Sequence, residues 1–319
     1  MTPHLHGALR NERAGGLVNI WVQAVRPHYV VTSIMPAILG SIVAWSRFGT
    51  FDAWFFIVVV IGVTVNHCGL NMIDDVFDYL NAVDHTTEDE KNPYTGGSGV
   101  LTEGTLSVGR MRTAAIACFV FTGLIALYLT VAVGWAVLIF SAIGVFSSVF
   151  YTAPPIRFGY RGLGELGLLI NFGPVICLGA FYVQTGCIAL EPGVISLVPG
   201  CMMWSMIVIN EIPDYEADRR AGKMNLVARL GRQAGIALYT AGLVAAYGVI
   251  IVSVGAGICP FTVLLGLLTL PVAYTSWRIL RIHYRDRVRM APANLAMLKV
   301  HTLTSILLIL GYMLAGVFA

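Results

Sequence analysis

Long apolar stretches separated by short polar segments run through the whole chain. About 20 apolar residues are needed for a helix to cross the ~30 Å hydrocarbon core of a bilayer. Nine stretches reach that length, at about 29–46, 52–73, 112–131, 134–153, 163–184, 190–209, 233–254, 258–279 and 298–318. The pattern predicts an all-α polytopic membrane protein with about nine transmembrane helices. No linker, low-complexity run or charge block divides it, so residues 1–319 are expected to form one membrane domain. Residues 1–20 are expected to form a mobile cytoplasmic segment, and no cleavable signal peptide is expected.

Composition agrees with this reading. Only 12% of residues are charged and 57% are hydrophobic, against about 25% charged in an average soluble domain. With the N-terminus inside, 19 of the 20 Lys and Arg fall in cytoplasmic segments, leaving Arg47 outside. The expected location is an integral protein of a bacterial inner membrane, with the N-terminus and the site on the cytoplasmic side. The basic residues are spread over five segments rather than gathered in a stripe, which excludes a nucleic-acid surface and suits anionic lipid. The six cysteines show no CxxC pairing, and Cys187 and Cys259 are the pair that outer loops bring within reach.

Acidic residues break the apolar pattern in two places. Of the 17 Asp and Glu, eight lie between Asp74 and Glu103 and four between Glu211 and Asp218. The first group follows Asn71 at the end of the second span and holds Asp74, Asp75, Asp78 and Asp84. The second follows Asn210 at the end of the sixth and holds Asp214 and Asp218. Residues four apart share a helix face, so Asp74 pairs with Asp78, and Asn210 with Asp214 and Asp218. Like charges so placed repel unless a cation screens them, and Mg²⁺ is held by a few carboxylates together with phosphate oxygens. Solvated helix ends are the plainer reading of one such pair; two at matching ends of two spans favour a metal and diphosphate site. Asp75 lies about 100° around the helix from Asp74 and faces either the metal or the neighbouring loop. Pro213 is expected to break the sixth helix and turn Asp214 and Asp218 inward. The Gly96-Gly97-Ser98-Gly99 run is suited to bringing backbone N–H groups to an anion.

These segments resemble the UbiA superfamily of intramembrane prenyltransferases. Asp74-Asp75-Val-Phe-Asp78, with Asp84 beyond, is similar to its first aspartate motif, with Asp74 where the family has Asn. Asp214-x-x-x-Asp218 is similar to its second. Tyr151-Thr-Ala-Pro-Pro155, Gly159-Tyr160-Arg161-Gly162 and Asn171-Phe-Gly-Pro174 are similar to the branch that prenylates 1,4-dihydroxy-2-naphthoate in menaquinone synthesis, as is Trp21-Val-Gln-Ala-Val-Arg26-Pro27.

The resemblance implies a central cavity open to the cytoplasmic side. There Mg²⁺ on Asp74, Asp75, Asp78, Asp84, Asp214 and Asp218 grips a polyprenyl diphosphate, with Asp78, Asp214 and Asp218 catalytic. Asn71, Lys91, Tyr151, Arg157, Tyr160, Arg161, Asn171, Asn210, Arg219 and Lys223 are the candidate substrate contacts. The implied reaction joins the prenyl group to an aromatic acceptor and releases diphosphate and, from a naphthoate, CO₂. Homogentisate or 4-hydroxybenzoate is the alternative acceptor. A cation-coupled transporter is the reading from another class, opposed by acids that sit at one membrane face rather than at the midplane.

Overall fold

A computed structural model describes residues 16, 19–83 and 92–318. Helices account for nearly all of it, with no strand among the described residues. In chain order they are α1 (Pro27–Phe48), α2 (Ala53–Leu80), α3 (Val108–Ala132), α4 (Ala136–Phe150), α5 (Gly164–Thr185), α6 (Leu190–Arg220), a short α7 (Leu226–Leu230), α8 (Arg232–Gly255), α9 (Phe261–His283) and α10 (Ala291–Phe318). Local sequence sets several starts. Asp52 accepts the Phe55 N–H at 2.9 Å, and Asn225 accepts the Ala228 N–H at 2.7 Å, each satisfying an end-of-helix donor.

Eight of these helices are long and apolar enough to cross a membrane. The difference from the sequence pattern is the fourth stretch. Its helix, α4, has 15 residues, about 22 Å at 1.5 Å per residue. Gly134 and Trp135 precede it, and Pro154 and Pro155 prevent its continuation beyond Tyr151. All six cysteines are free thiols, so Cys187 and Cys259 are not joined.

The bundle is built around α6. Ile195, Met202, Ile209 and Ile212 on this helix are fully buried, and it packs against α5, α8 and α10. Backbones approach closely where α5 crosses α6. A Cβ on Gly173 would lie 2.6 Å from the Ser196 carbonyl oxygen and 2.8 Å from the Gly200 Cα, so this crossing requires glycine. Outward-facing Leu124, Val131, Trp135, Leu190 and Phe261 are strongly exposed, as lipid contact demands.

Pro213 does not break α6, contrary to expectation. The helix runs unbroken from Leu190 to Arg220. A proline removes the N–H that would bond the carbonyl four residues back, here that of Ile209. Asn294 of α10 supplies the missing donor, its Nδ2 lying 3.2 Å from the Ile209 oxygen. The residues of the second acid group therefore keep helical spacing and share a face. Pro174 acts differently. Around it, Asn171–Val175 winds as one wide π turn inside α5, the kind of bulge that often marks a functional position.

Candidate active site

The acid-bearing ends of α2 and α6 face one open cavity, of about 930 Å³ with the solvent space at its mouth included. Asp74 and Asp78 enter it from α2, and Asp214, Asp218 and Glu211 from α6. Tyr94, Thr95, Gly96 and Gly97 cover one side. Deeper in, Leu168, Phe172, Met203, Met206 and Ile207 make the wall apolar. The cavity therefore has a mouth of carboxylates and a hydrophobic floor, a division that suits an apolar tail with a polar head joined to the carboxylates through a cation.

Basic side chains from three distant segments offset the carboxylates. Lys223, just after α6, places Nζ 2.6 Å from Asp78 Oδ2. Arg26, before α1, lies 3.3 Å from Asp74 Oδ2 and 3.4 Å from Asp75 Oδ1. Arg287, between α9 and α10, lies 2.8 Å from Asp214 Oδ1. Asp218 instead accepts the Asn225 amide at 2.7 Å. Burial works against the Lys223 charge, but Asp78, Asp74 and Asp218 outweigh it and hold the ammonium well above its ordinary pKa. Tyr160 donates its hydroxyl to Asp78 Oδ1 at 2.7 Å. Burial, then the Asp78 charge, raises the Tyr160 pKa, so this phenol stays protonated.

Asn71 and Asn210 line the cavity as polar supports. Asn71 Nδ2 donates to the Val25 carbonyl at 2.8 Å. Asn210 Nδ2 donates to Tyr29 Oη at 3.3 Å, and its Oδ1 accepts from Asn294 at 2.8 Å. Tyr29 in turn donates to the Tyr94 carbonyl at 2.7 Å, tying the covering loop to α1. His67 lies on the cavity wall as a hydrogen-bonded histidine, Nδ1 2.5 Å from Ser33 Oγ.

Several candidates stand elsewhere. Asp75 does not line the cavity. Its carboxylate accepts the Ser98 N–H at 3.1 Å and faces Arg26, because the 100° step around α2 carries it onto the loop. The anion that the glycine-rich loop receives is thus this side chain. Gly96, Gly97 and Gly99 all take positive φ there, as only glycine does freely. Arg157 lies over the Tyr160 ring at 5.6 Å, Arg161 donates to the Pro155 carbonyl at 2.9 Å, and Arg219 donates to Tyr215 Oη at 2.6 Å. None of the three lines the cavity. Asn171 opens instead onto a second, largely apolar cavity of about 700 Å³ between α2, α3, α4 and α5. Asp84 and Lys91 lie outside the described residues.

The sequence pattern counted Arg26 and Arg287 only as topology signals, and it left out Tyr29, Asn225 and Asn294. Arg26 sits in the Trp21–Pro27 stretch singled out above; nothing local marks Arg287 or Asn294.

The residues present fit a hard divalent cation. Four carboxylates supply oxygen donors from two facing helices; one oxygen, Asp74 Oδ1, is buried with no hydrogen-bond partner among the described residues, and a cation already stands against Asp78. Among the described residues no three acidic, His or Cys side chains already lie together as a metal site.

Residues 33–315 match the UbiA prenyltransferase family. The chain is 24% identical over 305 residues to a 2-carboxy-1,4-naphthoquinone phytyltransferase from Synechocystis, covering 93% of this chain and 94% of that protein. Its fold is similar to that of a UbiA homolog from Aeropyrum pernix K1, with a TM-score of 0.68 and 18% identity over 90% of this chain and 97% of that one. It is also similar to a UbiA homolog from Archaeoglobus fulgidus bound to DMAPP and Mg²⁺, with a TM-score of 0.54 and 16% identity over 94% of this chain and 99% of that one.

Proposed function

Because the chain belongs to the UbiA prenyltransferase family and is a prenyltransferase, we propose that it transfers a polyprenyl group from its diphosphate to 1,4-dihydroxy-2-naphthoate. The observation that carries this reading is the cavity with carboxylates at its mouth and an apolar floor. A relative named for a carboxylated naphthoquinone supports the acceptor. A structural neighbour bound to DMAPP and Mg²⁺ supports the donor and the metal.

Asp74, Asp78, Asp214 and Asp218 would hold Mg²⁺, and the bound metal would supply Lewis-acid stabilisation of the leaving group. Lys223 and Arg26 neutralise the remaining charge as the C1–O bond breaks and its electron pair departs with diphosphate. The acceptor carbon bearing the carboxylate attacks C1. The C–COO⁻ bond then returns its electron pair to the ring and CO₂ leaves, giving a demethylmenaquinol. Leu168, Phe172, Met203 and Met206 hold the tail and exclude the water that would quench the allylic cation. The Tyr151 phenol on the wall orients the reacting groups. The asymmetry of basic residues supports placing this mouth on the cytoplasmic face of the membrane.

The test is product formation by purified protein with 1,4-dihydroxy-2-naphthoate, a polyprenyl diphosphate and Mg²⁺, read by mass. An EDTA-sensitive, decarboxylated prenyl-naphthol product is expected. Donor turnover only with homogentisate or 4-hydroxybenzoate would move the acceptor.

A further inference from the structure

Arg287 belongs to none of the aspartate segments, yet it meets one of their carboxylates. Its Nη2 lies 2.8 Å from Asp214 Oδ1, and its side chain is only 14% exposed. Nε of the same guanidinium is buried with no hydrogen-bond partner among the described residues. The group also lies against the covering loop: a Cβ on Gly96 would stand 2.8 Å from Nη2. Its main-chain carbonyl accepts Nδ2 of Asn92 at 3.1 Å. Arg287 thus sits where α6, the covering loop and the segment before α10 meet, immediately behind the cavity wall.

A guanidinium and a divalent cation compete for the same Asp214 carboxylate. When a metal takes that oxygen, the guanidinium is left buried beside it without an anion, which is costly. The diphosphate that arrives with the metal offers the replacement, and the planar fork of arginine matches phosphate oxygens. We propose that Arg287 is a donor-binding residue that exchanges partners, capping Asp214 when metal and donor are away and turning onto the diphosphate when they bind. It thereby couples metal binding to donor binding, each favouring the other. This inference rests on the reading that the two acid groups hold a metal and a prenyl diphosphate. The competing account is a structural salt bridge that anchors the covering loop.

The experiment measures Mn²⁺ binding by electron paramagnetic resonance on the full-length protein in detergent. It is done with and without farnesyl thiodiphosphate, a slowly reacting donor analogue, for wild type, Arg287→Gln and Arg287→Lys. Exchange predicts changes of opposite sign in Arg287→Gln. Mn²⁺ alone binds about 10-fold tighter because Asp214 is uncapped, and the analogue binds about 10-fold more weakly in saturating Mn²⁺, the size of one charge-assisted hydrogen bond. Arg287→Lys keeps the charge and recovers part of both. If Arg287→Gln weakens both ligands together, or changes neither, the exchange is overturned and the structural anchor stands. If wild type itself binds no Mn²⁺ in the presence of the analogue, the metal–diphosphate reading fails first and this inference falls with it.

Discussion

The ammonium of Lys223 stands 2.6 Å from Asp78 Oδ2, while the Tyr160 hydroxyl donates to the other oxygen of that carboxylate, Oδ1, at 2.7 Å. A cation thus already occupies the neighbourhood in which a metal would bind. The Lys223 side chain reaches this position from the turn after α6, where Lys223 N–H bonds the Asp218 carbonyl at 2.8 Å. One short turn therefore sets both the second acid group and its counter-ion.

Replacing this carboxylate tests the site most directly. Asp78→Asn keeps the shape and removes the charge that Lys223 and the proposed metal share. Turnover is expected to fall by at least about 100-fold, the scale of losing one electrostatic contact in a desolvated site. The protein should still insert and elute as a single species, because the buried apolar surface is unchanged. Turnover within about threefold of wild type would remove Asp78 from the machinery. Asp218→Asn, assayed in parallel, is expected to behave the same way.

Lys223 carries a second prediction, this one about stability. In Lys223→Met the carboxylates lose their internal counter-ion, so the melting temperature in EDTA should drop. Added Mg²⁺ should restore more stability to the variant than it adds to wild type, since a ligand that binds only the folded state stabilises by mass action. The pH dependence has a definite sign. The folded pKa of Lys223 is raised above its ordinary 10.5, so the ion pair stabilises fully below that value and is lost only as pH rises through the folded value. The difference in melting temperature between the two proteins should therefore hold or grow from about pH 6 to 9, as the carboxylates that Lys223 faces ionise while it keeps its charge. A difference that shrinks across that interval would contradict the raised pKa.

Asn294 and Pro213 form a separable pair. Asn294 Nδ2 serves the Ile209 carbonyl that Pro213 leaves open, as well as Asn210 Oδ1. Asn294→Ala leaves these buried acceptors unsatisfied and is expected to cost about 1–3 kcal/mol. Pro213→Ala returns the missing N–H to Ile209, so in that background the Asn294→Ala cost should shrink. A double-mutant cycle by chemical denaturation reads the coupling. Additive costs would show that Asn294 does not compensate the proline.

The contrast between Asp75 and Asp78 shows how much of the site the sequence carried. Helical spacing alone put Asp74 with Asp78 and Asp214 with Asp218, and the two faces do meet across one cavity. Apolar length likewise located the long helices, because in a bilayer the backbone has to satisfy itself within each segment. Spacing along one helix says nothing about the loop beside it, so Asp75 remained open until Ser98 was seen to donate to it. Long-range partners were illegible for the same reason. Arg287 is 73 positions from Asp214 and Asn294 is 85 from Ile209, and no local pattern announces either meeting. The unbroken α6 follows from that same hidden donor, and the shortness of α4 from flanking Gly134 and Pro154–Pro155 that a hydropathy window averages away.

Tyr160 separates two roles that one side chain holds at once. Its hydroxyl donates to Asp78 at 2.7 Å, and its ring lies 5.5 Å from the Lys223 ammonium. Tyr160→Phe removes only the hydroxyl. Asp78 keeps its charge and Lys223 keeps both its ion pair and the ring face, so the loss should be modest, about 10-fold in kcat with little change in the KM of the donor. Tyr160→Ala also removes the aromatic face under the ammonium, worth about 0.5–2 kcal/mol, and opens space beside Asp78. It should raise the KM of the donor as well, because Lys223 is then less fixed where a diphosphate would meet it. Steady-state kinetics on the two variants decide the matter. Equal effects on kcat and KM in both would mean that the hydroxyl carries the whole contribution and the ring none.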